Sequence, residues 1–265
     1  MEVTKEFFIE GKQIKTVDEW IDEESKGLIY EVIRIINCKP LFYEEHYRRM
    51  VNSCRLAEGN LYVEELELRE LIRKLVDVNK AQEGNVKVTY NMKSGNVRLF
   101  FIPHSYPTNK MYRIGVETIL YYGERDNPNA KIINNSFREK VNTEIKKKNA
   151  YEAILVDRNN LITEGSRSNI FLIKNSCLYT SKVESVLPGV TRTEIIKVAK
   201  KNGIEVFEEN INAEKIGEFD AMFISGTSPN VLPINMVDDT KFNVNNELMR
   251  AIMALFLEEI ESCVK

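Results

Sequence analysis

The sequence predicts an α+β fold in two parts, and three observations predict it. Strand-type alternation opens the chain, two helix-type segments interrupt it, and strand patterns then return and dominate the second half. In EFFIEGKQI a hairpin turns at Glu10-Gly11, and LIYEVIRIIN alternates well enough for a central strand. Residues 44–58, EEHYRRMVNSCRLAE, read as a helix closed by Gly59. Residues 64–79 carry Leu68, Leu71, Ile72, Leu75 and Val76 at helical spacing. NVKVTY and VRLFFI then flank the turn NMKSGN and complete a first α+β unit. HSYPTNK, beside Pro103 and Pro107, is the expected linker, which places a small unit at 1–107 and a larger one at 112–265.

Beyond the linker the order is strand-like YRIGVETILYY, a polar loop GERDNPNAK and an amphipathic helix near 136–148. The strands YEAILVD, LITE and SNIFLI follow. A helix over 191–202 stops at Gly203, strands IEVFEE and AMFIS come next, and a terminal helix runs from Glu247 to about Ile260. The second unit is therefore β-rich with helices around it.

Composition narrows the function classes. With 265 residues, 43% of them hydrophobic and 29% charged, the chain can bury a full core. Lys and Arg total 37 against 40 acids, a net charge of -3, so nothing draws it to nucleic acid or an anionic membrane. Cys38, Cys54, Cys177 and Cys263 lack CxxC spacing, and only His46 and His104 are present, which argues against a metal cluster or a disulfide scaffold. MEVTKEFFIEGKQIK has no apolar core of a signal peptide, and no apolar run approaches the ~20 residues that span a bilayer. A cytoplasmic protein is expected.

Three local features carry chemistry. In LITEGSRSNIFLI, Glu164 stands inside β-type sequence, where an unpaired buried carboxylate costs several kcal/mol or neutralises itself. Gly165 beside it lets a ligand or another backbone come close. In SVLPGVTRTEIIKVAKKNG a Pro-Gly turn leads into a helix whose first turn holds Thr191, an arrangement that can seat a phosphate and that, alone, is more commonly an ordinary N-cap. In MFISGTSPNVLP a strand runs into a small-polar turn able to donate several hydrogen bonds to an anion, or to serve simply as a loop.

In this order the features resemble the pyridoxal-phosphate enzymes of fold type IV, the class IV aminotransferases, which include D-amino acid and branched-chain aminotransferases and aminodeoxychorismate lyase. The resemblance is carried by Lys131, YEAILVDRNNLITEGSRSNIF, LPGVTR and FISGTSPNVLP, with IYEVIRIINCKPLFYEEHYRRM in the first half, and it covers residues 7 to 236. It implies a small N-terminal α/β sandwich and a larger C-terminal pseudo-barrel. It also implies pyridoxal 5'-phosphate as cofactor and a homodimer, because the family's active sites accept loops from the partner subunit. Amino acids and 2-oxo acids are the implied substrates.

The resemblance also assigns roles. Glu164 would pair with the cofactor's ring nitrogen and keep it protonated, making the ring an electron sink. Lys131, reached by counting back from Tyr151 without a gap, would form the Schiff base and shuttle the proton; Lys140 lies inside a helix with no counterpart role. Arg49, rather than its neighbour Arg48, matches the phosphate arginine. Val190 and Thr191 would donate from backbone and hydroxyl, Gly226 and Thr227 would supply the remaining donors, and Leu187 would pack on the ring. Tyr30 would line the substrate pocket.

Two departures stand out. Ser25-Lys26-Gly27 replaces the family's Gly-Asp-Gly, and VTYNMKSGN puts Tyr90 where an arginine for the substrate carboxylate is expected. Arg167 occupies a slot that is generally small, so it either supplies that charge from another direction or is a surface arginine. The leading expectation is a transaminase. The alternative is aminodeoxychorismate lyase, which releases pyruvate, and Tyr30-Glu31 looks more like the transaminase version. A noncatalytic binding protein of the same fold is disfavoured by an intact Lys131 and Glu164.

Overall fold

The computed structural model describes residues 3–22, 27–125, 127–133 and 135–265, so Ser25 and Lys26 of the altered Gly-Asp-Gly segment and Asp126 of the polar loop lie outside the described residues. The chain divides into two compact units, one of residues 1–105 with 130–134 and 260–265, the other of residues 106–129 with 135–259.

The first unit is built from β1 (Phe7–Glu10), β2 (Gln13–Thr16), β3 (Ile29–Ile36), β4 (Lys39–Pro40), α1 (Tyr43–Leu56), α2 (Glu65–Val78), β5 (Gly84–Asn91) and β6 (Asn96–Ile102). Its sheet has the order β2-β1-β6-β5-β3-β4, antiparallel throughout. Alternation decides its two faces. Ile29, Ile33 and Ile35 of β3 join Val86, Val88 and Tyr90 of β5 and Leu99 and Phe101 of β6 in one buried cluster with Leu68, Leu71, Ile72 and Leu75 of α2. Burying each such aliphatic side chain contributes about 1.5–3 kcal/mol. Tyr30, Val32 and Arg34 take the opposite face, opposite Thr89, Lys87 and Asn85 in the register.

α1 closes differently from the sequence expectation. The left-handed residue is Glu58, with φ of 57°, one place before the glycine. Gly59 donates its N–H to the Cys54 carbonyl, and a Cβ on it would stand 2.7 Å from Met92 Sδ. A side chain here would have to displace the flexible end of Met92.

Residues 130–133 belong with the first unit because hydrogen bonds fasten them there. Tyr30 N–H donates to Lys131 O, Ile133 N–H to Leu28 O, and Lys131 N–H to the Ser53 hydroxyl, while Ile132 bridges to Ile29.

The second unit contains α3 (Asn109–Ile114), β7 (Val116–Tyr122), α4 (Asn135–Lys147), β8 (Glu152–Val156), β9 (Leu161–Gly165), β10 (Asn169–Lys174), β11 (Cys177–Thr180), α5 (Val190–Lys201), β12 (Val206–Glu208), β13 (Ile211–Asn212), β14 (Ala221–Gly226), β15 (Asn230–Val237), β16 (Thr240–Lys241) and α6 (Glu247–Cys263), whose last residues count with the first unit. The strands form one sheet in the order β12-β11-β10-β14-β15-β7-β8-β9-β13, with β16 on β15. Ile162 of β9 and Ile170 of β10 stand far apart in that order yet share one cluster with Ile154, Ile224, Leu232 and Val116. The sheet therefore curls on itself into a pseudo-barrel around that core. The Ser181 hydroxyl donates to Ile162 O across the gap. On the outer face α4 packs Val141 and Ile145 against Ile119, Ala153 and Leu155. Among the described residues no helix is long and apolar enough to cross a membrane.

Four expectations about elements need correction. YRIGVETILYY is not strand throughout: Thr108 accepts from Met111 N–H and starts α3, and Gly115, with φ of 76°, ends it before β7 begins. The strand β15 went unexpected because it contains Pro233, which lacks a ladder donor. Its parallel pairing with β7 starts only at Ile234, so Pro233 has no N–H to offer where none is needed. β11 also lies outside the expected strands, and α6 continues three residues past Ile260.

Candidate active site

In the first unit the chemistry gathers around Lys131. Its backbone is held at both ends, N–H to Ser53 and C=O to Tyr30, and its ammonium lies 4.7 Å from the centre of the Tyr30 ring. A short distance along the sheet is a cluster that the sequence did not lead us to name. Glu31 shares the apolar phase of β3 and is 1% exposed. It is met from α1 by Arg49, whose Nε donates to Oε1 at 2.8 Å and whose Nη2 donates to Oε2 at 2.6 Å. His46 Nδ1 lies 2.7 Å from Oε2; a carboxylate only accepts, so the imidazole proton is on Nδ1.

Burial would raise the Glu31 carboxyl, but the charge and hydrogen bonds of Arg49, with His46 behind them, hold it down at about 2. Burial lowers the His46 pKa; the Glu31 hydrogen bond opposes this, and the charges of Arg49 and Lys131 add to the lowering. His46 and Arg49 are one helical turn apart and reach the same carboxylate. Two of the three guanidinium nitrogens of Arg49, the fork assigned above to a phosphate, are thus turned to Glu31. Arg48, on the exposed side of α1, pairs with Glu45.

Tyr90 is not a pocket residue. It shares the phase of Val86 and Val88, is 0% exposed, and its hydroxyl donates to Asn60 O while accepting from Tyr62 N–H. Strand parity puts it on the helix-packed face, away from Tyr30. Tyr30 itself is half-buried on the opposite face.

In the second unit Glu164 is the last residue but one of β9, 3% exposed. Its Oε2 accepts from Leu187 N–H at 3.1 Å, and its Oε1 lies 3.3 Å from Arg125 Nε. Arg125 also donates from Nη2 to Ser166 O. A cleft of about 200 Å³ reaches this carboxylate past Arg125, Thr163 and Ser185. Glu152 fixes the turn that follows Glu164. It accepts from the Arg167 N–H at 2.6 Å and from the Ser168 hydroxyl at 2.9 Å. The Arg167 guanidinium donates to Tyr151 O on the exposed surface, which favours the surface role for that residue.

Asn169 ties three elements to one end of the sheet. It opens β10 opposite Ser225 of β14, and its amide donates to Leu187 O at 2.9 Å. Leu187 is thereby fixed through its N–H by Glu164 and through its C=O by Asn169. Gly189, the N-cap of α5, has no room for a side chain: a Cβ would stand 1.9 Å from Asn169 Oδ1. With no capping side chain there, the first-turn N–H groups of Val190 and Thr191 lack a side-chain cap, and both residues are buried. The β14–β15 turn carries Gly226 and Thr227 beside the same end. A buried carboxylate that accepts, with an uncapped helix N-terminus at a glycine and a small-polar turn that donate, is the set of partners that a phosphorylated, protonated pyridine ring needs. The residues present fit pyridoxal phosphate.

Glu31, His46, Arg125, Glu152 and Asn169 were missed. Glu31 had a signal, since an acid in the apolar phase of a central strand demands a buried partner. Arg125 and Glu152 had none, because their partners are set by the fold.

Comparison with known proteins gives consistent findings. The family model "Amino-transferase class IV" matches residues 28–237. A D-alanine aminotransferase of Listeria monocytogenes is 30% identical, with 93% of each chain covered. Among solved structures, the branched-chain amino acid aminotransferase from Escherichia coli superposes with a TM-score of 0.86 at 22% identity, covering 99% of this chain and 96% of that one. The T.th. branched-chain amino acid aminotransferase with pyridoxamine 5'-phosphate superposes with a TM-score of 0.87 at 20% identity, covering 98% and 96%.

Proposed function

The chain belongs to the class IV aminotransferases, pyridoxal-phosphate enzymes, and on that premise we propose that it moves an amino group between an amino acid and a 2-oxo acid with Lys131 as its nucleophile. The observation that carries the assignment is the way Lys131 is held: backbone fixed on both sides, ammonium against the Tyr30 ring. A lysine fixed in this way presents its amine in one place, which is what repeated proton transfer requires.

Bound pyridoxal phosphate supplies an electron sink for the pair left when the substrate loses its α-proton. Lys131 Nζ takes that proton from the donor and returns it on the other side of the transfer. Glu164, 3.3 Å from Arg125, would face the proton on the ring nitrogen. The α5 N-terminus at Val190 and Thr191 and the turn at Gly226 and Thr227 would hold the phosphate, while Leu187, fixed by Glu164 and Asn169, would pack on the ring.

The protein, incubated with pyridoxal phosphate, reduced with borohydride and digested, is expected to carry the label on the peptide containing Lys131. A label on Lys140, or none, overturns the assignment. The working form is a homodimer in the cytoplasm. Sedimentation as a monomer with full activity retained contradicts the dimer.

A further inference from the structure

The first turn of α5 has neither a cap nor a free cation of its own. The N–H groups of Val190, Thr191 and Arg192 precede the first helical hydrogen bond, from Thr193 N–H to Gly189 O at 2.9 Å, and no side chain caps them. Arg192 is the cation of this turn, but its guanidinium is turned to Glu208 at 2.7 Å and to Ser181 O at 2.9 Å. An anion at this turn is therefore met by backbone dipoles, which act only where they are aimed.

The aim is set from β10. Asn169, 6% exposed, donates from Nδ2 to Leu187 O at 2.9 Å, two residues ahead of the N-cap. Only Pro188, whose ring fixes its own φ, separates Leu187 from Gly189. Gly189 has φ of -63°, a backbone that any residue adopts, so conformation is not what demands a glycine. Space is. An added Cβ would stand 1.9 Å from Asn169 Oδ1 and 3.1 Å from Asn169 Cγ. One side chain thus grips the chain before the N-cap and packs against the N-cap itself.

The register partner of Asn169 points to a ligand at this end of the sheet. Ser225 stands opposite it on β14, and the two share the phase of the stacked rings Phe171 and Phe223, away from Ile170 and Ile224 of the barrel core. Ser225 is 1% exposed, and among the described residues its hydroxyl has no hydrogen-bond partner. Buried hydroxyls are rarely left so. This one lies just before Gly226 and Thr227, on the face where Asn169 meets Gly189, and an acceptor oxygen brought to that face completes it.

We propose that Asn169 is a positioning residue for the phosphate of the cofactor. By holding Leu187 and filling the space at Gly189 it aims the first-turn N–H groups of α5, and that aim sets how strongly the protein prefers a phosphorylated ligand. The inference rests on the pyridoxal-phosphate reading and is independent of Lys131. Asn169 acts through Leu187 and Gly189 and moves no proton.

The test measures binding rather than turnover. Dissociation constants of pyridoxamine 5'-phosphate and of pyridoxamine are read by calorimetric titration, with displacement for the weaker ligand. The proteins are the wild type, Asn169→Ala, Gly189→Ala and the double variant. Neither ligand has an aldehyde, so neither needs Lys131, and the ratio of the two constants isolates the phosphate. In Asn169→Ala the preference for the phosphorylated ligand is expected to fall about tenfold, the effect of a buried carbonyl left without its donor, while pyridoxamine binding stays within about twofold. Gly189→Ala drives its new methyl against Asn169 and is expected to lose the preference to a similar degree. In the double variant that collision is gone, so its preference should be no lower than that of Asn169→Ala. An asparagine that only supports the fold weakens both ligands in parallel, and an unchanged ratio overturns the proposal. Losses that multiply in the double variant mean that the two sites act independently, which overturns it as well. Should Asn169→Ala not fold, Gly189→Ala decides, and a wild-type ratio there refutes the inference. A wild type with no preference for the phosphorylated ligand means that the pyridoxal-phosphate reading has failed first.

Discussion

Replacing Glu164 by Gln is expected to leave the cofactor bound and to lower kcat more than a hundredfold. The phosphate donors at the α5 N-terminus and the β14–β15 turn are untouched by the change, so loading with pyridoxal phosphate persists. Glutamine keeps the size and can still accept from Leu187 N–H, so local structure persists as well. What it loses is charge. The proton on the ring nitrogen then has no anionic partner, and Arg125, 3.3 Å from the present carboxylate, remains as an uncompensated positive neighbour. Both effects disfavour the protonated ring and hence the electron sink. A loss of ~3 kcal/mol in transition-state stabilisation is already beyond a hundredfold in rate. Single-turnover loss of the α-proton, followed by exchange from a deuterated donor, measures the step directly. Unchanged turnover reduces Glu164 to a turn residue that happens to bind Leu187.

Much of the fold was legible because its signals are local. Alternation in LIYEVIRIIN and spacing in residues 64–79 depend on which face meets the core, and both elements occur as β3 and α2. The elements that escaped depend on distant partners. β15 forms around Pro233 because β14 pairs with residues 230–234 while β7 joins only beyond the proline. The site divides the same way. Glu164, Lys131 and the helix after LPGVTR could be named from the order of motifs. Tyr90 was misplaced by aligning a loop, although parity already grouped it with Val86 and Val88. The same parity sets Lys87 beside Thr89 on the face of Tyr30. Arg125 and Glu152 could not be read, because the pairing of β7, β8 and β9, and no sequence neighbour, brings them to Glu164 and its turn.

Glu31→Gln is expected to be the most damaging single change for stability in the first unit. The carboxylate is the common acceptor of Arg49 and His46, all three buried, and its removal leaves the guanidinium without its countercharge. Breaking a buried pair by deleting one partner costs about 3–5 kcal/mol, a large part of the stability of an ordinary domain. The dependence on pH separates this cause from mere misfit. Folding lowers the Glu31 pKa from 4.5 to about 2, so between those values the unfolded chain binds a proton that the folded chain does not. The stabilisation is complete above the unfolded value and is lost as pH falls through the folded one. His46, whose pKa is also lowered on folding, begins to disfavour the folded state as pH drops below its ordinary 6.5. The wild type should therefore weaken gently below 6.5 and steeply from 4.5 toward 2. Glu31→Gln has no carboxylate to protonate, so it lacks the steep part. Urea unfolding at pH 7, 4.5 and 3 should show the gap between the two proteins narrowing as pH falls. A gap that stays constant would mean that the glutamine is simply badly packed and that the ion pair contributes nothing beyond its shape.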